Sequence, residues 1–529
     1  MVTLQHLSYT HPNTDLLFHN LNLTVNNHDK IALIGTNGSG KSTLLKIIAG
    51  KLQASEGQLK IDIKPYYVPQ IFGQYNHLSI AQALGIDDKL NAMQEILKGN
   101  TSEEHFNVLN DDWTIEDRCR EALNNWQLNN LDLLLPMHSL SGGQKTKVFL
   151  AGISIHQPEF VLLDEPSNHL DIRGRQLLCD FIQSTKSTLI VVSHDRKLLN
   201  FLDTVCEISK NGIKVYGGNY KFYEQQKQIE NNALNQDLLS KEKALRKAKE
   251  KERETLERQR KLDSRGKGKQ EKSGVSRIMM NTLRNKAEYS TSKIKGLHAE
   301  KIDGISQELQ DLRSTLPGID KMKFGFDNSE LYHGKILFTA TNINFTYDIK
   351  PLWKHPLSLQ ITSGERIALK GINGSGKTTL IKMILGIFGT QSGIVYKAES
   401  TSVYIDQDYS LLDNGLRVYE QAQQFNATAL LEHEIKIRLN RFLFGHDDWD
   451  KSCSALSGGE KMRLMLCCLT IGNQAPDIII LDEPTNNLDI QNIEILTAAI
   501  NEYKGTLIVV SHDELFLEQI NTNKTIELY

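Results

Sequence analysis

A twelve-residue segment recurs in this chain with nine positions identical, as GTNGSGKSTLLK from Gly35 to Lys46 and as GINGSGKTTLIK from Gly371 to Lys382, 336 positions apart. No other feature restricts the fold as strongly. A glycine-rich loop that ends in Lys and a hydroxyl residue needs a strand before it and a helix after it. Three more pairs follow in the same order. LSGGQK (Leu140–Lys145) returns as LSGGEK (Leu456–Lys461) at an offset of 316, and LLDEPSNHLD (Leu162–Asp171) returns as ILDEPTNNLD (Ile480–Asp489) at 318. VVSHD returns from Val191 to Val509, also at 318. The chain therefore consists of two homologous halves.

At 529 residues it exceeds one ordinary core. The repeat predicts a first domain at 1–219, a linker at 220–330 and a second domain at 331–529. Between Gln70 and Ser141 lie 71 positions, against 50 between Gln407 and Ser457, so the first half carries about twenty extra residues. They fall around 87–126, a polar stretch read as a helical insertion. KIALIG, FVLLD and TLIVVSHD are continuous apolar runs closed by polar residues, the pattern of buried parallel strands in an α/β fold. Such a fold gathers its polar site at the carboxyl ends of the strands.

The linker reads differently. It lacks proline from about 219 to 262 and is dense in charge, which predicts one helix. A second is predicted from about 276 to 316, with an apolar stripe at Ile294, Leu297, Ile302, Ile305, Leu309, Leu312 and Leu316 able to pack on the first. Gly266, Gly268 and Gly274 break both patterns and put the tip of a helical hairpin at about 263–276. From Lys241 to Lys301 the net charge is +11, while the whole chain is only −3.

No apolar run reaches the length of a membrane span, and the N-terminus has no secretory pattern, so the cytoplasm is the expected compartment. The six cysteines show no C-x-x-C spacing, so neither a disulfide framework nor a zinc module is supported, and buried small hydrophobe is the expected role for most of them.

The repeated segments carry phosphate chemistry. In the P-loops, Gly35, Asn37, Gly38, Ser39 and Gly40, with Gly371, Asn373, Gly374, Ser375 and Gly376, let backbone N–H groups surround phosphates at a helix N-terminus. Lys41 and Lys377 would pair with phosphate oxygens; Ser42 and Thr378 would hold Mg²⁺, with Thr43 and Thr379 following. Asp164 and Asp482 end buried strands and would hold the same ion. The next residues, Glu165 and Glu483, are placed to polarise an attacking water. An acidic pair at a strand end can be a mere surface turn, but here it recurs beside the same loop. Ser141, Gly142, Gly143 and Gln144, and Ser457, Gly458, Gly459 and Glu460, start helices and form two further anion sites.

With these elements in this order, the chain resembles the ATP-binding cassette (ABC) ATPases over both halves. The resemblance implies a tandem of α/β P-loop domains facing head to tail, so that two composite sites bind ATP with Mg²⁺. One site would join Lys41, Gln70, Asp164, Glu165 and His194 to Ser457 and Gly459. The other would join Lys377, Gln407, Asp482, Glu483 and His512 to Ser141 and Gly143. Gln70 and Gln407 would belong to the metal's surroundings and His194 and His512 to catalysis. Tyr9 and Tyr347 match the family's adenine-stacking aromatic, the alternative being packing on the sheet edge.

Such an ATPase can be a transporter motor working with separate membrane subunits. Tandem cassettes, an insertion confined to the first and a long charged helical linker instead resemble the ABC-F subfamily. That resemblance implies action on the ribosome, with the linker reaching toward tRNA and the peptidyl transferase centre. Lys147 and Ser167 depart mildly from the subfamily's pattern. DNA-maintenance relatives need zinc modules or very long coiled coils, neither of which is present. Arg265, Lys267, Lys269, Lys272, Arg277 and Arg284 are the candidate RNA contacts, since Arg265 to Arg277 holds five bases against Glu271 alone. Ile278 to Met280 fit either the hairpin's packed face or contact with a base or nascent chain. Within that class the sequence leaves both a housekeeping translation factor and antibiotic protection open.

Overall fold

The apolar runs become parallel sheets in both halves. In the first, β1 (Val2–Thr10), β2 (Leu16–Val25), β3 (Lys30–Ile34), β4 (Glu56–Ile61), β5 (Tyr66–Val68), β6 (Phe160–Asp164), β7 (Thr188–Val192), β8 (Thr204–Ser209) and β9 (Gly212–Tyr216) make two sheets. One has the order β5-β6-β7-β3-β8-β9, parallel except for the β8/β9 edge pair; the other is antiparallel, β2-β1-β4. Every residue of β6 and β7 is buried, as the absence of alternation in their sequences requires. The two faces of β6 serve different cores. Phe160 and Leu162 pack with α1 (Lys41–Ile48) and the antiparallel sheet, whereas Val161 and Leu163 pack with the helices on the opposite face.

Those helices are α2 (Ile80–Leu84), α3 (Asp87–Leu97), α4 (Glu103–Leu109), α5 (Ile115–Asn125), α6 (Gly142–His156), α7 (Ile172–Ser184) and α8 (Arg196–Leu199). The linker contributes α9 (Tyr220–Gln270) and α10 (Arg277–Thr315). The second half repeats the plan with β10 (Ile336–Asn344), β11 (Leu357–Thr362), β12 (Arg366–Gly371), β13 (Ser392–Lys397), β14 (Ser402–Ile405), β15 (Ile478–Asp482), β16 (Thr506–Val510) and β17 (Lys524–Leu528). Its sheets are β14-β15-β16-β12-β17, all parallel, and β11-β10-β13, antiparallel. Its helices are α11 (Lys377–Leu385), α12 (Val418–Gln424), α13 (Glu432–Arg441), α14 (Gly458–Ile471), α15 (Ile490–Glu502) and α16 (Glu514–Gln519).

This computed structural model describes residues 1–12, 15–100, 102–129, 131–209, 212–270, 277–315, 331–347, 350–372, 374–427, 429–472 and 475–528. Two compact units divide the chain: Met1–Tyr223 together with Lys321–Tyr529, and Glu224–Asp320. Among the described residues no helix is long and apolar enough to cross a membrane. All six cysteines are buried and unbridged.

Three sequence expectations change here. The antiparallel sheet of each half was not anticipated. The insertion is also narrower than 87–126, because α5 has a counterpart in α13 and both lie beside the helix that follows their signature, leaving α3 and α4 as the added pair. Finally, α9 runs through Gly266 and Gly268 where a turn was expected. A glycine costs a helix only about 1 kcal/mol relative to alanine, and the neighbouring Arg265, Lys267, Lys269 and Gln270 are good helix formers. Gly274 and the rest of 271–276 lie outside the described residues.

In the linker unit, Lys241 of α9 pairs with Glu308 of α10, which makes the two helices neighbours. The apolar stripe is only partly used: Leu309 is buried and Ile302, Ile305 and Leu312 half-buried, while Leu297 is 60% exposed. The Ile294 side chain, those of Ile278 to Met280, and Leu316 lie outside the description.

Candidate functional site

Each P-loop leaves its strand and enters its helix through a glycine that no other residue could replace without strain. Gly40 has φ 95°, and a Cβ there would sit 2.6 Å from the Phe18 ring. Gly376 has φ 89°, with Leu352 equally close. Lys41 Nζ donates to the carbonyls of Gly35 (2.7 Å) and Thr36 (3.0 Å), and Lys377 Nζ to those of Gly371 (2.7 Å) and Ile372 (3.2 Å). Both ammonium groups thus lie along their own loops. Burial lowers the pKa of each, although nearby carboxylates oppose the shift. The Ser39 and Ser375 hydroxyls are buried without a partner.

The acidic pairs stand at the ends of β6 and β15. Ser42 Oγ donates to Asp164 Oδ1 at 2.9 Å, and Tyr67 OH donates to Asp164 Oδ2 at 3.0 Å. In the second half Tyr404 OH donates to Asp482 Oδ2 at 2.8 Å. Burial, then the facing carboxylate, pushes both phenol pKa values up, so each keeps its proton as donor. The next residues turn sharply. Glu165 and Glu483 take φ of 50° and 49°, a left-handed conformation rare for such side chains. Their amides are fixed by the carbonyls of Val192 and Val510, each at 2.8 Å. The same strained backbone in both halves aims each glutamate across the strand end, toward β7 and β16.

There each glutamate meets a histidine: His194 Nε2 lies 3.2 Å from Glu165 Oε1, and His512 Nε2 3.3 Å from Glu483 Oε1. Burial raises the pKa of both carboxyls, that of Glu483 to about 7, and lowers those of both imidazoles, His512 to about 4 and His194 well below its ordinary value. Nδ1 of both histidines is buried with no hydrogen-bond partner. Buried polar atoms left unpaired in duplicate mark a place built for something else to enter. A carboxyl near neutrality is suited to accept a proton from water.

The halves meet over this region. Asn37 N donates to Asp489 Oδ2 (2.8 Å) and its side-chain amide to Asn487 O (2.9 Å), tying the first P-loop to the second half's TNNLD loop. A cleft of about 400 Å³ is lined by the first P-loop, Gln70, Glu165 and His194 and, from the other half, by Ser457 and Asn487. Ser457 opens α14 through a capping box with Glu460, and Ser141 opens α6 in the same way with Gln144. A Cβ at Gly459 would fall 2.2 Å from Asn492 Nδ2, so any larger residue there has to displace that side-chain amide.

The corresponding residues of the second half are more exposed. Asn373 lies outside the described residues, Thr378 and Gln407 are exposed, and the first-half groups that act on Lys377, Glu483 and His512 are Asp171 and Arg175. Gly142 packs beside His169 of its own half. The aromatic expectation also shifts. His11 and Leu17 line the first cleft, whereas Tyr9 packs edge-on against His11, with ring centroids 5.5 Å apart, and against Phe18. Tyr347 is 61% exposed and its hydroxyl lies 2.8 Å from Thr379 Oγ1. Of the linker bases, Arg265 is exposed; the side chains of Lys267, Lys269, Arg277 and Arg284, and all of Lys272, lie outside the description.

Sequence reasoning missed Tyr67, Tyr404 and His11. The tyrosines were detectable, because YVPQ and YIDQ place one three residues before each glutamine.

Comparison with known proteins agrees with this geometry. The family model described as ABC transporter matches twice, at residues 18–168 and 354–486. The putative ATP-binding protein YdiF of Bacillus subtilis is 32% identical over 96% of this chain and 77% of its own length. The ATP-binding protein Uup of Escherichia coli is 29% identical, covering 96% of this chain and 77% of that protein. ABC transporter F family member 5 of Arabidopsis thaliana is 29% identical, covering 94% and 71%. Among solved structures, the protein called RNase-L Inhibitor superposes with a TM-score of 0.60 at 20% identity, covering 98% of this chain and 87% of that one. The archaeal ribosome recycling factor aABCE1, in complex with the stalk protein aP1, gives 0.59 at 20% identity, covering 99% and 87%.

Two apposed P-loop domains with acidic strand ends and signature helices define an ABC ATPase, and the chain belongs to that family. Its place within the family is the ABC-F subfamily.

Proposed function

We propose that this ATPase hydrolyses ATP at two composite sites and uses the closing and opening of its halves to act on the ribosome. The observation that supports it most is the joint lining of one cleft by Lys41, Glu165 and His194 from one half and Ser457 from the other. In this reading the P-loop amides and Lys41 hold the phosphates, and the signature N-terminus at Ser457 closes on them. Glu165 orients and deprotonates water, and His194 holds the attacked phosphate. Lys377, Glu483 and His512 do the same in the second cleft, with Ser141 and Gly143 as the closing signature.

Mg²⁺ fits the donors present: Ser42 Oγ and Asp164 Oδ1 already converge, and a hydroxyl, a carboxylate and the nearby Gln70 form an all-oxygen set of the kind hard cations take. When bound, the ion supplies charge neutralisation of the phosphates. Thr378, Asp482 and Gln407 are the corresponding set.

The ribosomal half of the proposal rests on subfamily membership and on the net charge of +11 between Lys241 and Lys301 of the linker, which suits a phosphate-lined cavity. Arg265, Lys267, Lys269, Lys272, Arg277 and Arg284 are its proposed RNA contacts, and the cytoplasm its compartment. Replacing Glu165 and Glu483 together by Gln should leave ATP binding intact, abolish turnover and trap the protein on ribosomes. Co-sedimentation no greater than wild type would overturn the ribosomal reading. Recovery with membranes in dependence on a permease partner would replace it by a transporter motor.

A further inference from the structure

Strands β5 and β14 lie beside β6 and β15 in parallel register, Tyr67 opposite Leu162 and Tyr404 opposite Ile480. From there each phenol reaches along the neighbouring strand to the aspartate at its end and donates to Oδ2, at 3.0 Å in the first half and 2.8 Å in the second. The flanking residues differ, Tyr66 and Val68 against Val403 and Ile405, yet the same bond forms in both halves. In the first half the other oxygen, Oδ1, accepts from Ser42 at 2.9 Å. The carboxylate is gripped from two sides and cannot rotate without leaving a buried group unpaired, which typically costs about 1–3 kcal/mol. Tyr67 is itself buried, and its ring also carries the Lys51 ammonium 4.9 Å from its centroid, so the phenol has little freedom of its own.

We propose that Tyr67 and Tyr404 are positioning residues for metal binding: each phenol occupies the Oδ2 of its own half's aspartate and leaves Oδ1 for the metal, an oxygen that in the first half already faces the Ser42 hydroxyl. The inference rests on the reading that Asp164 and Asp482 face Mg²⁺. A hydrogen bond to an ionised carboxylate is among the stronger ones, and the partners of metal-ligating carboxylates fix their orientation and tune affinity. Each phenol bonds its aspartate, and Tyr67 does not line the cleft, so the effect on the metal passes through the aspartates. Because each tyrosine stands three residues before Gln70 or Gln407, the bond also ties the glutamine-bearing strand to the acidic strand of its half.

Tyr→Phe removes only the hydroxyl and keeps the ring. In the full chain, Mn²⁺ is titrated by electron paramagnetic resonance with a non-hydrolysable ATP analogue bound, in wild type, Tyr67→Phe/Tyr404→Phe and Asp164→Asn/Asp482→Asn. The tyrosine double variant should bind Mn²⁺ about tenfold more weakly, while binding the analogue normally in EDTA. Each single variant should weaken one of the two metal sites. If the tyrosine variant superimposes on wild type while the asparagine variant binds weakly, the positioning role is overturned and the metal reading stands. If the asparagine variant binds Mn²⁺ as wild type does, the metal reading falls and takes this inference with it. Weakened analogue binding in EDTA by the same factor would make the tyrosines packing residues only, which also overturns the proposal.

Discussion

At the scale of single residues, the two signature loops solve one problem with different chemistry. Ser141 and Ser457 both cap a helix, but the reciprocal partner is the neutral Gln144 in the first half and the ionisable Glu460 in the second. Glu460 accepts from Ser457 N and Oγ, both at 2.8 Å, and pairs with Lys451 at 2.9 Å. Burial pushes its pKa up, but these bonds outweigh burial and hold it below the ordinary 4.5. A carboxyl whose pKa is lower folded than unfolded contributes stability above the unfolded value, and that contribution disappears as pH falls through the folded one. Glu460→Gln should therefore cost under about 1 kcal/mol at pH 7, since Gln144 shows that glutamine completes the box. That cost should shrink as the pH is lowered from 7 through the folded pKa of Glu460. Thermal unfolding of the full chain across that range, with a flatter acid limb in the variant, checks this.

Among elements, the linker shows how far periodicity reaches. Its charges and lack of proline made two helices legible, and α9 and α10 are there. The glycines misled because in an exposed helix of some fifty residues two penalties of about 1 kcal/mol are spread over many favourable backbone bonds. The apolar stripe misled at Leu297, since spacing fixes which residues share a face without fixing how far along the face a partner helix stays in contact. Deleting residues 265–274 should leave ATP turnover of the isolated protein at the wild-type rate and abolish its effect on translation in a reconstituted system. A loss of basal turnover would make that segment a structural part of the ATPase.

The whole molecule is held in its paired form by contacts no periodicity announces. Asp489 caps α15 and at the same time accepts the Asn37 amide from the other half. Arg196, 5% exposed, reaches Gln519 at 3.2 Å and Glu494 at 3.8 Å, and Lys197 meets Glu514 at 3.1 Å. The Lys197 pair is about half exposed and worth little. Asp489 is buried, so Asp489→Ala should remove a helix cap, about 1 kcal/mol, and leave the Asn37 amide unpaired, another 1–3 kcal/mol. The expected outcome is a smaller closed population at saturating ATP. Energy transfer between dyes on the two halves would read it; unchanged closure would show that the loop contact does not hold the halves together.

The repeat by itself determined that there are two equivalent α/β units, where each P-loop and acidic pair lies, and that the chemistry is that of ATP. Those features are local, because a glycine loop, a buried apolar run and a capping serine each declare themselves within a few residues. Only the tertiary structure decided that Glu165 and Glu483 sit strained, each paired with a histidine, that Ser457 enters the first half's cleft, and that a tyrosine holds each aspartate. These depend on which strands become neighbours and on how two distant halves meet, and such distances are set by packing across the chain rather than by position along it.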